Sequence, residues 1–264
     1  GPGVIYYHEQ VPTGPLNFDI LKIDLTQPGI HIETVKGMDR LLQLERTSSM
    51  SARYDKEGHR VIAGTNGDYW NTTNKVLLHN QISNGEIVNK EKNTSGAGLF
   101  MINGSNTPYI GRHNVLLMKG VLKIGENTPL NIDSFNIINY TSGVVLYNSY
   151  VGAQTPVPSG ITQLVVSPVD GWKVNDTTEC IVNSISTGGA LNIVKGSAVI
   201  AANGSSASYL EQAVVGEKVK IYNYVQASPI NNITQAIGGS ESIIIDGVKQ
   251  NFTSGSAADR KSVV

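Results

Sequence analysis

The sequence predicts an α+β fold in which a β-rich mixed sheet carries a few short helices. Glycine and asparagine recur at short intervals along the chain, and runs rich in β-branched residues lie between them. This pattern is typical of many short strands joined by tight turns. Helical periodicity is confined to two segments, Leu41–Tyr54 and Ser206–Val214. We therefore expect strands to dominate a single domain that spans residues 1–264.

The strand pattern is clearest in segments of β-branched residues that are bounded by turn-forming residues. In chain order these segments are Asp19–Asp24, Gly29–Val35, Val61–Ala63, Gly143–Tyr147, Gln163–Ser167, Lys218–Val225 and Ser242–Asp246. Hairpin turns are expected where asparagine or aspartate precedes glycine, because such pairs tolerate positive φ angles. These pairs are Asn84-Gly85, Asn103-Gly104 and Asp246-Gly247.

The two helical segments differ in how well their ends are marked. Leu41–Tyr54 has apolar residues at loosely helical spacing, and its cluster Thr47-Ser48-Ser49 offers an N-cap for a second short helix. In Ser206–Val214, the hydroxyl of Ser206 can cap the helix and Gly216 can end it. We expect both helices to be short.

Composition excludes several classes of protein. The chain has 264 residues, a formal net charge of -1 and 40% hydrophobic residues, which supply a sizeable core. A nearly neutral charge argues against a nucleic-acid-binding surface and against a polybasic membrane anchor. No apolar run approaches the roughly 20 residues that a membrane-spanning helix needs. The single cysteine, Cys180, excludes an intrachain disulfide and is typical of a small buried apolar side chain.

The segment Gly64–Trp70 carries the densest set of groups with chemical potential. Asn66 can donate and accept hydrogen bonds, Asp68 can act as a base, and Tyr69 or Trp70 can stack on a sugar ring. Its two glycines allow the backbone to approach a ligand closely. The alternative is a tight turn followed by two core aromatics.

Two further segments are weaker candidates. Gly238-Gly239 precedes a predicted strand, where backbone N–H groups can face an anion, although a plain turn between strands has the same pattern. Arg260 offers a planar guanidinium for a phosphate, whereas a terminal charge cluster is often only solvated. His79 can return to the Asp68 region or be an ordinary core histidine. No HExxH pair exists, so we expect no zinc site and no cofactor; a divalent cation such as calcium, bound through Asp68, is left open.

Taken in order, five blocks of the chain resemble the phosphodiester glycosidase family, whose domain occurs in the mammalian enzyme that removes N-acetylglucosamine from mannose-6-phosphate tags. The blocks are Gly64–Trp70, Ile132–Tyr147, Tyr209–Val225, Ala236–Gly247 and Arg260–Val264. The sequence departs from the family where Lys261 replaces a threonine. The family pattern also continues beyond Val264, so we expect this chain to lack a C-terminal segment of the family's domain.

The resemblance implies hydrolysis of a sugar-1-phosphodiester, which releases a sugar and a phosphomonoester. Such a site needs donors on the phosphate, a carboxylate near the anomeric carbon and groups that hold the sugar. Given this chemistry, we expect Arg260 to bind the phosphate and Asp68 to serve as the carboxylate or to position the water. We expect Asn66 to hold sugar hydroxyls or phosphate, Tyr69 or Trp70 to pack on the sugar, and the backbone of Gly238 and Gly239 to donate hydrogen bonds.

Two other functions remain open at the level of sequence. One is a non-catalytic extracellular module that binds a carbohydrate or the cell wall on the same scaffold, and the other is a structural surface-layer component. All three functions predict a location outside the cell or at its surface, with a secretion signal removed ahead of Gly1-Pro2. The expected partner is a glycan or sugar phosphate; nucleic acid and an integral membrane segment are not expected.

Overall fold

The computed structural model describes residues 2–14, 16–90, 98–112, 118–226, 228–239, 244–245 and 247–250. Strands make up 43% of the structure and helices 7%. The predicted α+β class is therefore wrong: the protein is mostly β, built around a barrel-like sheet of eight strands. The helical contribution is small because α1, Thr47–Tyr54, buries none of its residues and α2, Ser205–Leu210, is only 6 residues long.

The described residues form seventeen strands. In chain order they are β1 Val4–Val11, β2 Leu16–Ile23, β3 Gln81–Ser83, β4 Glu86–Asn89, β5 Gly98–Asn103, β6 Pro108–Arg112, β7 Met118–Ile124, β8 Leu130–Ile132, β9 Ser134–Phe135, β10 Val145–Asn148, β11 Ile161–Pro168, β12 Thr178–Gly188, β13 Ala198–Ala202, β14 Lys218–Val225, β15 Ile233–Gly238, β16 Ile244–Ile245 and β17 Val248–Lys249. A 3-10 turn at Gly37–Asp39 precedes α1.

The eight-stranded sheet has the order β8-β7-β14-β12-β11-β13-β10-β9. Side chains alternate between its faces, as the period of a strand requires. Leu164 and Val166 of β11 belong to the large core on one face, whereas Ile161 and Val165 belong to a smaller apolar cluster on the other. Both faces are therefore covered, which explains the almost continuous apolar sequence of β11 and β13.

The second sheet has five strands in the order β4-β3-β15-β5-β6. Its buried residues Ile82, Leu99 and Ala236 belong to the same core as Leu164 of the eight-stranded sheet. The two sheets thus share one apolar core, and the outer side of β3 and β15 is left to carry polar groups. β1 and β2 form a separate hairpin, and β16 and β17 form a short ribbon.

Five predicted strands overlap observed ones, namely those in Asp19–Asp24, Gly143–Tyr147, Gln163–Ser167, Lys218–Val225 and, in part, Ser242–Asp246. The predicted turns at Asn84-Gly85 and Asn103-Gly104 join β3 to β4 and β5 to β6. In Ser242–Asp246 only Ile244–Ile245 is described, as β16, and Asp246 lies outside the described residues.

The predicted strands at Gly29–Val35 and Val61–Ala63 are wrong. Their backbone groups are satisfied by side chains rather than by a neighbouring strand. Thr34 N–H donates to Oε1 of Gln235 at 3.0 Å, and Val61 N–H donates to Oδ1 of Asp55 at 3.0 Å. A period-two pattern indicates a strand only where a partner strand is available.

The helix boundaries also differ from the prediction. α1 begins at Thr47, so the Leu41–Arg46 part of the predicted helix is not helical. Neither Arg46, the N-cap of α1, nor Gly204, the N-cap of α2, makes a side-chain capping bond. The hydroxyl clusters in both places lie inside the helices instead of ahead of them.

Cys180 is fully buried in the large core, as the sequence predicted. Burial raises the pKa of its thiol to about 12. Because the thiolate is the reactive species, we expect the native protein not to react with an aromatic disulfide reagent at pH 8. In denaturant we expect the same reagent to react with one equivalent of thiol per chain. Rapid labelling of the native protein would contradict the burial of β12.

Candidate functional site

The loop between α1 and β3 brings an aspartate and a histidine together. A ring nitrogen of His79, Nδ1, makes a short hydrogen bond to Oδ1 of Asp68. Asp68 also accepts the N–H of His79 at 3.0 Å through Oδ2 and the N–H of Tyr69 at 2.6 Å. The side chains of Asp68 and His79 are only 1% and 9% exposed. A carboxylate that accepts from Nδ1 orients the imidazole and fixes its tautomer.

The local sequence explains why His79 returns to Asp68. Trp70 and Leu77 form an antiparallel bridge, and the N–H of Leu78 donates to the carbonyl of Tyr69 at 2.9 Å. At the tip of this narrow loop, the side chain of Asn71 accepts the backbone N–H groups of Thr73 at 2.9 Å and of Asn74 at 3.1 Å. An asparagine that bonds its own backbone in this way closes a turn. The chain therefore doubles back within eleven residues.

Two glycines allow the loop to lie directly on β15. A Cβ at Gly67 would stand 2.2 Å from Cδ1 of Ile237. A Cβ at Gly238 would stand 2.2 Å from Cβ of His79 and 3.3 Å from Oδ1 of Asp68. Only glycine leaves room for such close approach, so both positions set the depth at which Asp68 and His79 sit.

Gly238 and Gly239 do not act in the way that the sequence predicts. The N–H of Gly238 donates to the carbonyl of Asn80 at 3.0 Å, and that of Gly239 donates to the carbonyl of Gly98 at 2.9 Å. Both donors are therefore used between strands, and neither is available to a phosphate. Gly238 contributes to the site through the missing side chain, next to Asp68 and His79.

A buried lysine and a buried amide lie close to this pair. Burial lowers the pKa of Lys36, and the negative charge of Asp68 partly opposes that effect. Nζ of Lys36 donates to the carbonyl of Gln43 at 2.5 Å. Gln81 lies opposite Ile237 in the sheet, so both side chains share the face that meets Gly67. Oε1 of Gln81 is buried and has no hydrogen-bond partner.

The rim of the site is formed by exposed side chains of the same loop. Tyr69 and Trp70 are 42% and 41% exposed, so neither is a core aromatic. Asn66 is exposed as well. Half-exposed aromatic rings beside a polar site are well suited to pack on the apolar face of a sugar.

The structure thus brings together most of the residues that the sequence nominates. Asp68 lies at the centre of the site, and Gly238 borders it. Tyr69 and Asn66 lie on the same loop as Asp68, and Gly239 is the first residue after β15. Arg260, the predicted phosphate ligand, lies outside the described residues.

Sequence reasoning left the place of His79 open and missed Lys36 and Gln81. For His79 a signal existed in Asn71-Thr72-Thr73-Asn74, which is typical of a turn and implies that the chain doubles back. Lys36 lies 32 positions before Asp68, and Gln81, two positions after His79, has no feature in the local sequence that marks it as part of the site. No group of three or more histidine, cysteine, aspartate or glutamate side chains suited to a metal occurs among the residues that the structure describes.

Glu86, at the start of β4, is a second buried carboxyl group. Its Oε1 has no partner, and burial raises its pKa from 4.5 to about 7. Protonated Glu86 therefore stabilises the fold at pH values below 4.5, and this contribution is lost as the pH rises through 7. We expect the free energy of unfolding to fall by about 3 kcal/mol from this group over that range.

Denaturant titrations of the wild type and of Glu86→Gln between pH 4.5 and 8 would measure this effect. The variant should be more stable than the wild type at pH 8. Its free energy of unfolding should not show the fall with rising pH that Glu86 causes in the wild type. Glu126→Gln is the matched control, because the side chain of Glu126 is fully exposed. Parallel curves for the wild type and Glu86→Gln would contradict the burial of this carboxyl group.

No protein-family model matches the sequence, and no curated protein matches it. The fold, however, has been seen before. A hypothetical protein from Synechocystis has a TM-score of 0.61 and 14% identity, covering 94% of this chain and 44% of its own. A Burkholderia pseudomallei protein described as a "putative exported protein" has a TM-score of 0.57 and 14% identity, covering 89% of this chain and 51% of its own. At such identity the likeness shows the fold alone, and this chain spans about half the length of both proteins.

No helix in the described part of the chain has the length and apolar character needed to cross a membrane.

Proposed function

We propose that this protein hydrolyses a sugar-1-phosphodiester outside the cell, releasing a sugar and a phosphomonoester. The observation that carries the proposal is the buried Asp68–His79 pair on the loop that also carries the exposed rings of Tyr69 and Trp70. An oriented imidazole can serve as the general base that activates a water, and exposed aromatic rings on the same loop can hold a sugar. The sequence resemblance to the phosphodiester glycosidases and a structural neighbour described as exported agree with it.

In this mechanism His79 is the general base. Nδ1–H of His79 donates to Asp68, and a histidine that a carboxylate orients in this way can take a proton from water. The water oxygen then bonds to the anomeric carbon, and the bond between that carbon and the phosphate oxygen breaks. The phosphomonoester leaves with the electron pair of the broken bond. Its oxygens delocalise the negative charge that it gains, which makes it a good leaving group, so a strong general acid is less necessary than in ordinary glycosidases.

Asp68 acts on the reaction through His79 in this proposal. Its side chain is almost fully buried and accepts three hydrogen bonds, so it has little access to an anomeric carbon. It holds the imidazole in place and stabilises the imidazolium that forms. Lys36, whose charge interacts with Asp68, helps to balance the buried carboxylate. Arg260 remains the proposed phosphate ligand.

The same burial of Asp68 favours a second candidate, a carbohydrate-binding module without catalysis. A carboxylate enclosed by backbone donors also serves as a structural link between the two arms of the loop. In that case Tyr69 and Trp70 would bind a glycan, and His79 would only complete the loop.

Mass spectrometry of a panel of sugar-1-phosphodiesters, including nucleotide sugars, tests the proposal. We expect one member of the panel to give equal amounts of sugar and phosphomonoester. Calorimetry would measure sugar binding by this chain and by a C-terminally extended one. Binding of the sugar without cleavage would favour the binding module. If the extended chain neither cleaves nor binds any member of the panel, both candidates are wrong.

A further inference from the structure

The β1–β2 hairpin has one mainly apolar side and an opposite, more polar side, which also carries Val4, Leu21 and Ile23. Residues that lie opposite each other in an antiparallel pair point to the same side. Six of the eight residues on the apolar side are apolar: Ile5, Tyr7, Val11, Leu16, Phe18 and Ile20. The other side carries a hydrogen-bonded group in which Asp19 accepts the hydroxyl of Tyr6 at 2.5 Å and Nδ1 of His8 lies 2.9 Å away.

The apolar side is exposed in the isolated chain. Five of its six apolar residues, all except Val11, are between 42% and 53% exposed. Neither β1 nor β2 packs extensively against another helix or strand of the described chain. A lone two-stranded hairpin is marginal in water, and a contiguous apolar patch of this kind marks an interaction surface.

The charges on this apolar side indicate what covers it. Glu9 and Lys22 are the two charged residues on this side. Glu9 lies opposite Phe18. Lys22 lies opposite Ile5, at a level four residues closer to the open end of the hairpin than Glu9. When two copies pack face to face with their strands antiparallel and crossed, a twofold axis near Tyr7 places Glu9 of each copy beside Lys22 of the other. Twofold contacts require such self-complementary surfaces.

We propose that the β1–β2 hairpin is a dimerisation element that packs its apolar face on the same face of a second copy, with two Glu9–Lys22 ion pairs across the interface. Burial of aromatic and aliphatic side chains supplies the affinity, and the ion pairs fix the antiparallel orientation. The proposal concerns a surface apart from Asp68 and does not depend on the proposed activity.

Sedimentation velocity over a concentration series measures the dimer, and variants that reverse the charge of Glu9 or Lys22 test the proposed ion pairs. Glu9→Lys and Lys22→Glu should each weaken the dimer about tenfold or more, because each variant on its own places two like-charge pairs in the interface. An equimolar mixture of the two variants should dimerise as the wild type does, since both contacts of the mixed dimer are again of opposite charge.

Gln10→Lys is the control, because Gln10 lies on the polar side of the hairpin, and it should leave the dimer unchanged. Phe18→Ser should abolish the dimer without changing the thermal unfolding of the rest of the chain, which the hairpin does not support. A wild type that is monomeric at 0.1 mM, roughly the concentration at which weak dimers form, would overturn the proposal. A dimer that withstands both charge reversals and Phe18→Ser would overturn it as well.

Discussion

Asp68→Asn is expected to lower the rate of sugar release by about 10³- to 10⁴-fold while the chain stays folded. An amide has a single acceptor oxygen, whereas the Asp68 carboxylate serves both the ring and the backbone N–H of His79. If the amide oxygen faces the ring, the NH2 group meets the backbone N–H of His79. If the NH2 group faces the ring, Nδ1 must accept, and the proton moves to Nε2, which can no longer act as the base.

A second His–Asp pair in the chain provides the matched control. His8 and Asp19 lie 2.9 Å apart on the exposed hairpin, which is a separate two-stranded sheet. Asp19→Asn should therefore leave the rate unchanged. His79→Gln should lose as much activity as Asp68→Asn, and the double variant should lose no more, because residues that act as a unit are not additive. Full turnover by Asp68→Asn would show that the pair is only structural.

Gly85→Ala is expected to destabilise the protein by about 3 kcal/mol or more. Gly85 has a φ angle of +75°, and a Cβ there would stand 2.0 Å from the carbonyl oxygen of Trp172. Because the obstacle is backbone, no side chain can rotate away. The turn between β3 and β4 would have to separate from the loop that carries Trp172.

Gly58→Ala isolates the conformational part of this cost. Gly58 has almost the same φ angle, +76°, but a Cβ there meets nothing within 4 Å. Denaturant titration of both variants would measure the two effects. We expect Gly58→Ala to lower the free energy of unfolding by about 1 kcal/mol. Equal losses for the two variants would mean that the close contact with Trp172 carries no energetic weight.

Local patterns predicted those parts of the structure that depend on neighbours in sequence. The run Lys218–Val225 predicted β14 with its observed bounds, and Asn84-Gly85 predicted a hairpin turn. The same patterns failed at Gly29–Val35, where the side chain of Gln235 takes the hydrogen bond of a missing partner strand. A contact between residues 201 positions apart leaves no trace in the local sequence.

The site shows the same division. Asp68 and Tyr69 stood out because amide, carboxylate and aromatic residues cluster within a few positions. Lys36 was missed because only the fold brings it near Asp68, and Gln81 was missed because its place beside Ile237 is set by the pairing of β3 with β15. The role predicted for the Gly238 N–H failed because that N–H bonds the carbonyl of Asn80, which directly precedes β3 and lies far earlier in the chain.

The position of β15 in the five-stranded sheet also bears on synthesis of the chain. β15 lies between β3 and β5, yet its residues, Ile233–Gly238, follow both strands by more than a hundred positions. On the ribosome the hairpins β3–β4 and β5–β6 can form early, but they cannot join before β15 emerges from the exit tunnel. Until then Ile82 and Leu99 expose apolar surface, so this stretch of the nascent chain is a natural client for a holding chaperone.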